Sequence, residues 1–553
     1  MDHSFTTRIA PFAGEPSATP RMLAVAGIGT VVAIAGASSE ILLDPVALND
    51  LVDSADPSIA AAGQVGSQVK VRVGGAWLIA NIRSLRLDAT SRIAAQIDFL
   101  GEGDEEKLTG KLYKFRRGVT RYPTPGSAVF PVSTADLRQI YAADDRAYVE
   151  IGTVYPTRDI RAALYVDALL GKHFAILGST GTGKSTSTAA ILHKICDLAP
   201  QGHIVMIDPH GEYSAAFKTN GALYDVANLA MPYWLMNFEE HAEVFLTSAG
   251  AERQIDADIL AKCLLAARAK GRLGQEISKL TVDAPIPYLL SDLSQLIQLE
   301  MGKLDRAGDT APYLRLKTKI DEIKGDPRYG FMFSGMMVAD TMADFIARVF
   351  RLPGDGKPIS IIDLSGVPSE ITSVVVAVLS RMVFDFAIWS RNEPKRPILL
   401  VCEEAHRYIP AESKVDGSSV GKILSRIAKE GRKYGVSLGL VTQRPSDLAE
   451  GVLSQCGTIV SMRLNNDRDQ AFVRAAMPEG ARGFLDSIPA LRNRECIICG
   501  EGVSIPLRVV FDDLDATRRP ASGDPLFSTL WRETGQEDAI IERTIKRWRA
   551  QGR

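Results

Sequence analysis

The chain has 553 residues, 46% of them apolar and 24% charged, a composition of ordinary folded proteins at a length that suggests two to four domains. Lys and Arg number 64 against 66 Asp and Glu, a formal charge of −2 that leaves no chain-wide basic footprint. A ring around DNA needs basic groups only along its lumen, so the balance does not exclude a nucleic-acid partner. The longest apolar stretch, residues 22–37, is broken by Gly27, Gly29 and Gly36 and falls short of the roughly 20 residues of a membrane helix.

The amino terminus lacks a basic segment before an apolar core, so no signal peptide is expected. Six cysteines are scattered, mostly inside apolar runs, as thiols buried in a reducing cytosol are, and a soluble cytoplasmic protein with no membrane partner is expected. Cys496 and Cys499 have the spacing of a metal or redox pair. They sit in a strand-like run with no second pair or nearby histidine, so packing is their expected role.

Residues 1–20 read as a loose leader. Residues 21–150 hold short β-branched segments between turn residues: 29–34, 40–43, 69–73, 76–82, 93–99 and 112–115. Val69-Lys70-Val71-Arg72-Val73 alternates with the period of a half-buried strand, and several such strands in this length predict a small barrel.

Over residues 151–515 strands alternate with helices. The apolar runs 174–177, 204–207, 359–362, 398–402, 436–442 and 458–462 are continuous, as in a parallel sheet covered on both faces. Residues 237–330, rich in Leu, Ala, Lys, Asp and Glu, read as an inserted helical subdomain. In the tail, 516–553, apolar residues 540, 541, 545 and 548 have the spacing of an amphipathic helix that packs on a neighbour.

Between the first core strand and a helix lies Gly178-Ser179-Thr180-Gly181-Thr182-Gly183-Lys184-Ser185, followed by Thr186. The spacing is that of a P-loop, whose backbone N–H groups curl around the phosphates of ATP. Lys184 reaches the β/γ-phosphates, and the Ser185 hydroxyl holds Mg²⁺. Such an ATPase needs an acid at the end of a buried strand, and Glu403 and Glu404 follow Ile398–Cys402. Glu403 is assigned to the metal-water shell and Glu404 to polarising water.

Asp208 ends the strand 204–207; it is either a metal or nucleotide ligand or a turn former before Pro209. His210 and His406, near the same edge, read as hydrogen-bonding supports. Gln443, just past the strand 436–442, is placed to sense the γ-phosphate. Arg432, near the end of the helix before that strand, is either a cation favoured at a helix carboxyl end or a finger for the neighbouring subunit's nucleotide.

Together the P-loop, Asp208-Pro-His-Gly-Glu-Tyr213, Glu403-Glu-Ala-His406, Glu430-Gly-Arg-Lys-Tyr-Gly435 and Thr442-Gln-Arg-Pro445 resemble the HerA family, of the HerA/FtsK branch of DNA-pumping ATPases. The β-rich residues 21–150 are similar to that family's small barrel. The resemblance implies an α/β fold with a RecA-like P-loop ATPase core, a homo-hexameric ring, and ATP- and Mg²⁺-driven translocation on duplex DNA. It also implies a separate effector: a nuclease such as NurA in end processing, or a nuclease or sirtuin-like protein in phage defence.

The acid pair is Glu-Glu, not the Asp-Glu of FtsK, which favours the HerA side of the branch. No nuclease constellation is visible in the chain. A second reading is a hexameric scaffold that organises a partner and uses hydrolysis as a switch. Residues 413–421 are read as a DNA-contacting loop.

Overall fold

The computed structural model describes residues 27–550 apart from 36–37, 107–108, 304–309, 335–337, 412–417, 478–480, 522–524, 526 and 533–536. The expected leader and most of the expected DNA-contacting loop lie outside the described residues.

Seven strands form the amino-terminal sheet, six of them a closed barrel: β1 (Gly29–Ala35), β2 (Ser38–Leu43), β3 (Gln68–Val73), β4 (Ala76–Leu87), β5 (Ile93–Glu105), β6 (Leu112–Arg117) and β7 (Ala128–Pro131). The order β2-β1-β7-β3-β4-β5 closes through a β2–β5 ladder. Closure is open to β5 because of its length. Its first half pairs with β2 and its second half carries β6 outside the ring. Val69 and Val71 are fully buried in the barrel while Arg72 is exposed, the result of the period-two pattern. β7 has only four residues, too few to show a period, which is why the sequence pattern misses it.

The second sheet has eleven strands: β8 (Tyr148–Val154), β9 (Arg161–Tyr165), β10 (Phe174–Leu177), β11 (Ile204–Asp208), β12 (Gly221–Tyr224), β13 (Ile359–Asp363), β14 (Ile398–Cys402), β15 (Val436–Thr442), β16 (Thr458–Ser461), β17 (Glu495–Gly500) and β18 (Leu507–Phe511). Its order is β12-β13-β11-β14-β15-β10-β16-β17-β18-β8-β9. Neighbours from β12 to β16 run parallel, and the rest are antiparallel. β10 lies inside the sheet with β14 two places away, the RecA-like arrangement of P-loop strand and acidic strand. β8 starts a few residues before the expected division at 150.

The helices Phe238–Phe245, Gly250–Lys270, Leu290–Met301 and Ala311–Gly325 occupy the insertion. Two arginines tie it down. Arg268 is wholly buried and donates to the carbonyls of Val282, Trp234 and Met236, the last at 2.7 Å. Arg381, on the helix Ser369–Trp389, donates to both oxygens of Glu240 at 2.9 Å. That helix is long and apolar enough to cross a membrane, but 67% of its apolar window is buried inside the protein.

One expectation changes and another holds. The tail helix Glu537–Ala550 leaves Ile540, Ile541 and Trp548 at least half exposed, so it does not bury its apolar face within the chain. Cys496 and Cys499 are both buried on β17, three residues apart. An odd spacing along a strand points side chains to opposite faces, so the two sulfurs cannot share one ligand.

Candidate active site

The P-loop leaves β10 at Leu177 and enters the helix Lys184–Leu198. Gly181 (φ 77°) and Gly183 (φ 93°) take the left-handed conformation that side chains disfavour. Gly178 is required by space: a Cβ there would lie 2.9 Å from both Met462 Cβ and Thr182 Oγ1. Neighbouring strands pin the loop. Ser179 N donates to Arg463 O at 2.9 Å, its Oγ accepts from Asn465 N at 3.1 Å, and Thr182 Oγ1 donates to Ser179 O at 2.8 Å. Lys184, Ser185 and Thr186 open the helix, where N–H groups have no carbonyl one turn back and face an incoming anion.

Lys184 Nζ donates to Glu403 Oε1 at 2.7 Å, and both side chains are buried. Burial presses the Lys184 amine towards its neutral form, but Glu403, Glu404 and Glu212 outweigh it and hold its pKa above the ordinary value. Burial also pushes the Glu403 carboxyl up, against the pull of Lys184. The other Glu403 oxygen accepts from Tyr213 Oη at 3.0 Å.

Glu404 is a buried, non-glycine residue at φ 52°. Such strain of order 1–3 kcal/mol persists where the surroundings impose it, and here it turns the carboxylate off the strand end. Gln443 Nε2 donates to Glu404 Oε1 at 3.0 Å, and Gln443 Oε1 accepts from Thr180 Oγ1. His406 Nδ1 lies 3.0 Å from Thr442 Oγ1 and 3.2 Å from Glu404 Oε2, and burial holds its pKa below the ordinary value.

The structure therefore brings Lys184, Ser185, Glu403, Glu404 and Gln443 to one edge of the sheet. Two of the expected residues behave differently. Asp208 is fully buried, and its oxygens accept backbone N–H groups, from Gly211 at 2.9 Å and Tyr213 at 2.8 Å. Burial raises its pKa to about 6. These contacts give Asp208 the place of a turn former, the second of its two readings.

Arg432 stands at the opposite edge of the sheet. It is exposed near the end of the helix Ser419–Tyr434, and its charge reaches His173, the residue before β10, whereas the P-loop follows that strand. A helix that feeds a parallel strand must end at the strand's amino-terminal edge, so Arg432 cannot reach its own P-loop. Glu212, for which the sequence motif offers no role, is the acid that meets the P-loop hydroxyl: Ser185 Oγ donates to its Oε2 at 2.8 Å. Tyr213 is the other residue missed, since nothing in its neighbourhood announces a partner 190 residues away.

These residues fit a magnesium nucleotide: an anion-receiving helix start, a lysine, a hydroxyl and carboxylate oxygens, the hard donors Mg²⁺ takes. Lys184, Ser185, Glu212 and Glu403 would hold it. Residues 149–383 match the model of the HerA helicase central domain. A DNA double-strand break repair helicase HerA of Pyrococcus furiosus is 28% identical over 476 residues, 78% of this chain and 82% of its own length. The protein of that name from Saccharolobus solfataricus is 25% identical over 431 residues, 76% of this chain and 79% of its own. A solved structure of VirB4 from Thermoanaerobacter pseudethanolicus superposes with a TM-score of 0.48 at 14% identity, covering 68% of this chain and 98% of that one. With barrel, P-loop and acidic strand end in this order, the chain is similar to HerA helicases over most of its length, and residues 149–383 belong to the HerA central-domain family of P-loop ATPases.

Proposed function

We propose that the protein is an ATP-driven translocase of double-stranded DNA that works as a homo-hexameric ring in the cytoplasm and serves a separate effector, such as a nuclease. The observation that carries this reading is the split of its charged groups between two edges of one sheet. One edge holds a P-loop, a hydrolytic carboxylate and an amide between them; the other presents Arg432 to solvent. A ring of such subunits places the arginine edge of each against the nucleotide edge of the next, and hydrolysis then registers the subunit boundary.

In this reading the helix start and Lys184 bind the triphosphate, with Lys184 leaving Glu403 to do so. Glu404 orients the attacking water and draws its proton, and Gln443 relays the presence of the terminal phosphate. A magnesium ion held by Ser185 and the neighbouring carboxylates would neutralise the charge that develops on the phosphate oxygens. DNA as the track is supported by the relatives, which are named as double-strand break repair helicases.

The deciding experiment compares ATP turnover with and without linear duplex DNA. Stimulation of about tenfold or more is expected of a motor. Turnover indifferent to DNA, with a partner bound, would replace the motor by the scaffold reading.

A further inference from the structure

Glu212 sits on the turn after β11, between residues whose backbone N–H groups are both held by Asp208. The turn is built to a narrow tolerance. Gly211 adopts φ 70°, and a Cβ there would come within 2.8 Å of Asp363 Oδ2. The far side is held as well, since Ala521 N donates to Glu212 O at 2.9 Å. These restraints present the Glu212 carboxylate to Ser185 Oγ, which donates to it at 2.8 Å.

That contact has a consequence for metal binding. A hydroxyl that offers a lone pair to a divalent cation must aim its proton elsewhere, and the acceptor of that proton sets the direction of the lone pair. Glu212 already fills this place. Glu403, the acid expected to serve the metal, has one oxygen on Lys184 at 2.7 Å and the other on Tyr213 Oη at 3.0 Å. Its charge faces the lysine, whereas that of Glu212 faces the hydroxyl.

We propose that Glu212 is the positioning carboxylate of the Mg²⁺ site: it orients the Ser185 hydroxyl and accepts from water bound to the cation. The proposal rests on the ATPase reading above. Its chemistry is that of an outer-shell partner, whose loss from metal sites weakens cation binding without removing a ligand.

The test is binding of a fluorescent ADP analogue titrated with MgCl₂, alongside binding in EDTA. Glu212→Ala should raise the Mg²⁺ concentration for half-maximal tightening by about 10–100-fold, with EDTA affinity unchanged. Glu212→Gln keeps an acceptor but not the charge and should shift it by about tenfold or less, a comparison that stands if the alanine variant does not fold. An unshifted midpoint in both Glu212 variants, or equal losses in Mg²⁺ and EDTA, overturns the proposal. Failure of the native protein to bind the analogue at all would instead remove the ATPase reading beneath it.

Discussion

Gln443 hydrogen-bonds Glu404, its Nε2 donating to Oε1 at 3.0 Å, while the carbonyl oxygen of the same amide accepts from Thr180 of the P-loop. One side chain thus links the loop that holds the phosphates to the carboxylate proposed to activate water. The amide suits this place because its two ends differ: only a donor can face a carboxylate and only an acceptor can face a hydroxyl proton.

Gln443→Ala should therefore lower kcat by about 10²-fold while KM changes little, because the bond orients a group used in the transition state. Glu404→Gln should bind nucleotide normally and lose turnover. Steady-state ATPase assays with a nucleotide titration separate the two parameters, and a Gln443→Ala variant altered only in KM would place this side chain in binding.

Lys184 and Glu403 form a buried pair, so removing one partner strands the other. Lys184→Met should abolish turnover and cost about 3–5 kcal/mol of stability. Adding Glu403→Gln should recover most of that stability and none of the activity. Denaturant midpoints of the single and double variants check this, and a double variant as unstable as the single one would assign the loss to packing.

His241 is wholly buried, with Nδ1 2.7 Å from Asn237 O and Nε2 2.8 Å from Tyr288 Oη. Burial, reinforced by Arg268 and Arg381, holds its pKa well below the ordinary value of 6.5. The native state keeps the ring neutral and the unfolded chain takes up a proton. Its stabilisation is complete above pH 6.5 and is lost as pH falls below it. His241→Gln should flatten the native stability curve there by about 1.4 kcal/mol per pH unit. Unfolding of both proteins between pH 5 and 8 measures the difference; parallel curves would show that the ring titrates alike folded and unfolded.

If Arg432 serves the neighbouring subunit, rings mixed from inactive Arg432→Ala and inactive Glu404→Gln chains should regain part of the activity, because some boundaries then join two intact halves. Confirmed mixed rings with no activity would leave Arg432 the helix-end cation of its other reading.

We propose that the amino-terminal barrel docks the effector, since its sequence carries no glycine-lysine loop and no acidic strand ends like those of the core. Deleting residues 1–150 should release the partner in a pull-down while nucleotide binding by the folded remainder persists. Full retention of the partner would move the dock elsewhere.

What could be read along the chain was what neighbouring residues decide among themselves. The P-loop is eight contiguous residues whose glycines allow left-handed turns at Gly181 and Gly183, so its form needs no distant partner. Continuous apolar runs announced six of the core strands, and alternation announced the barrel, because burial on one face or two writes itself into the periodicity. The short β7 and β12 wrote nothing. Strand order is equally silent, since every strand of a covered parallel sheet carries the same apolar pattern. Yet that order sets the site. It puts β14 two places from β10, so that Lys184 meets Glu403 across 219 positions of sequence, and it puts Glu212, not Asp208, against Ser185. The place of Arg432 was decided by direction: its helix ends where β15 begins, on the edge away from its own P-loop, and sequence spacing carries no sign of which edge a residue will face.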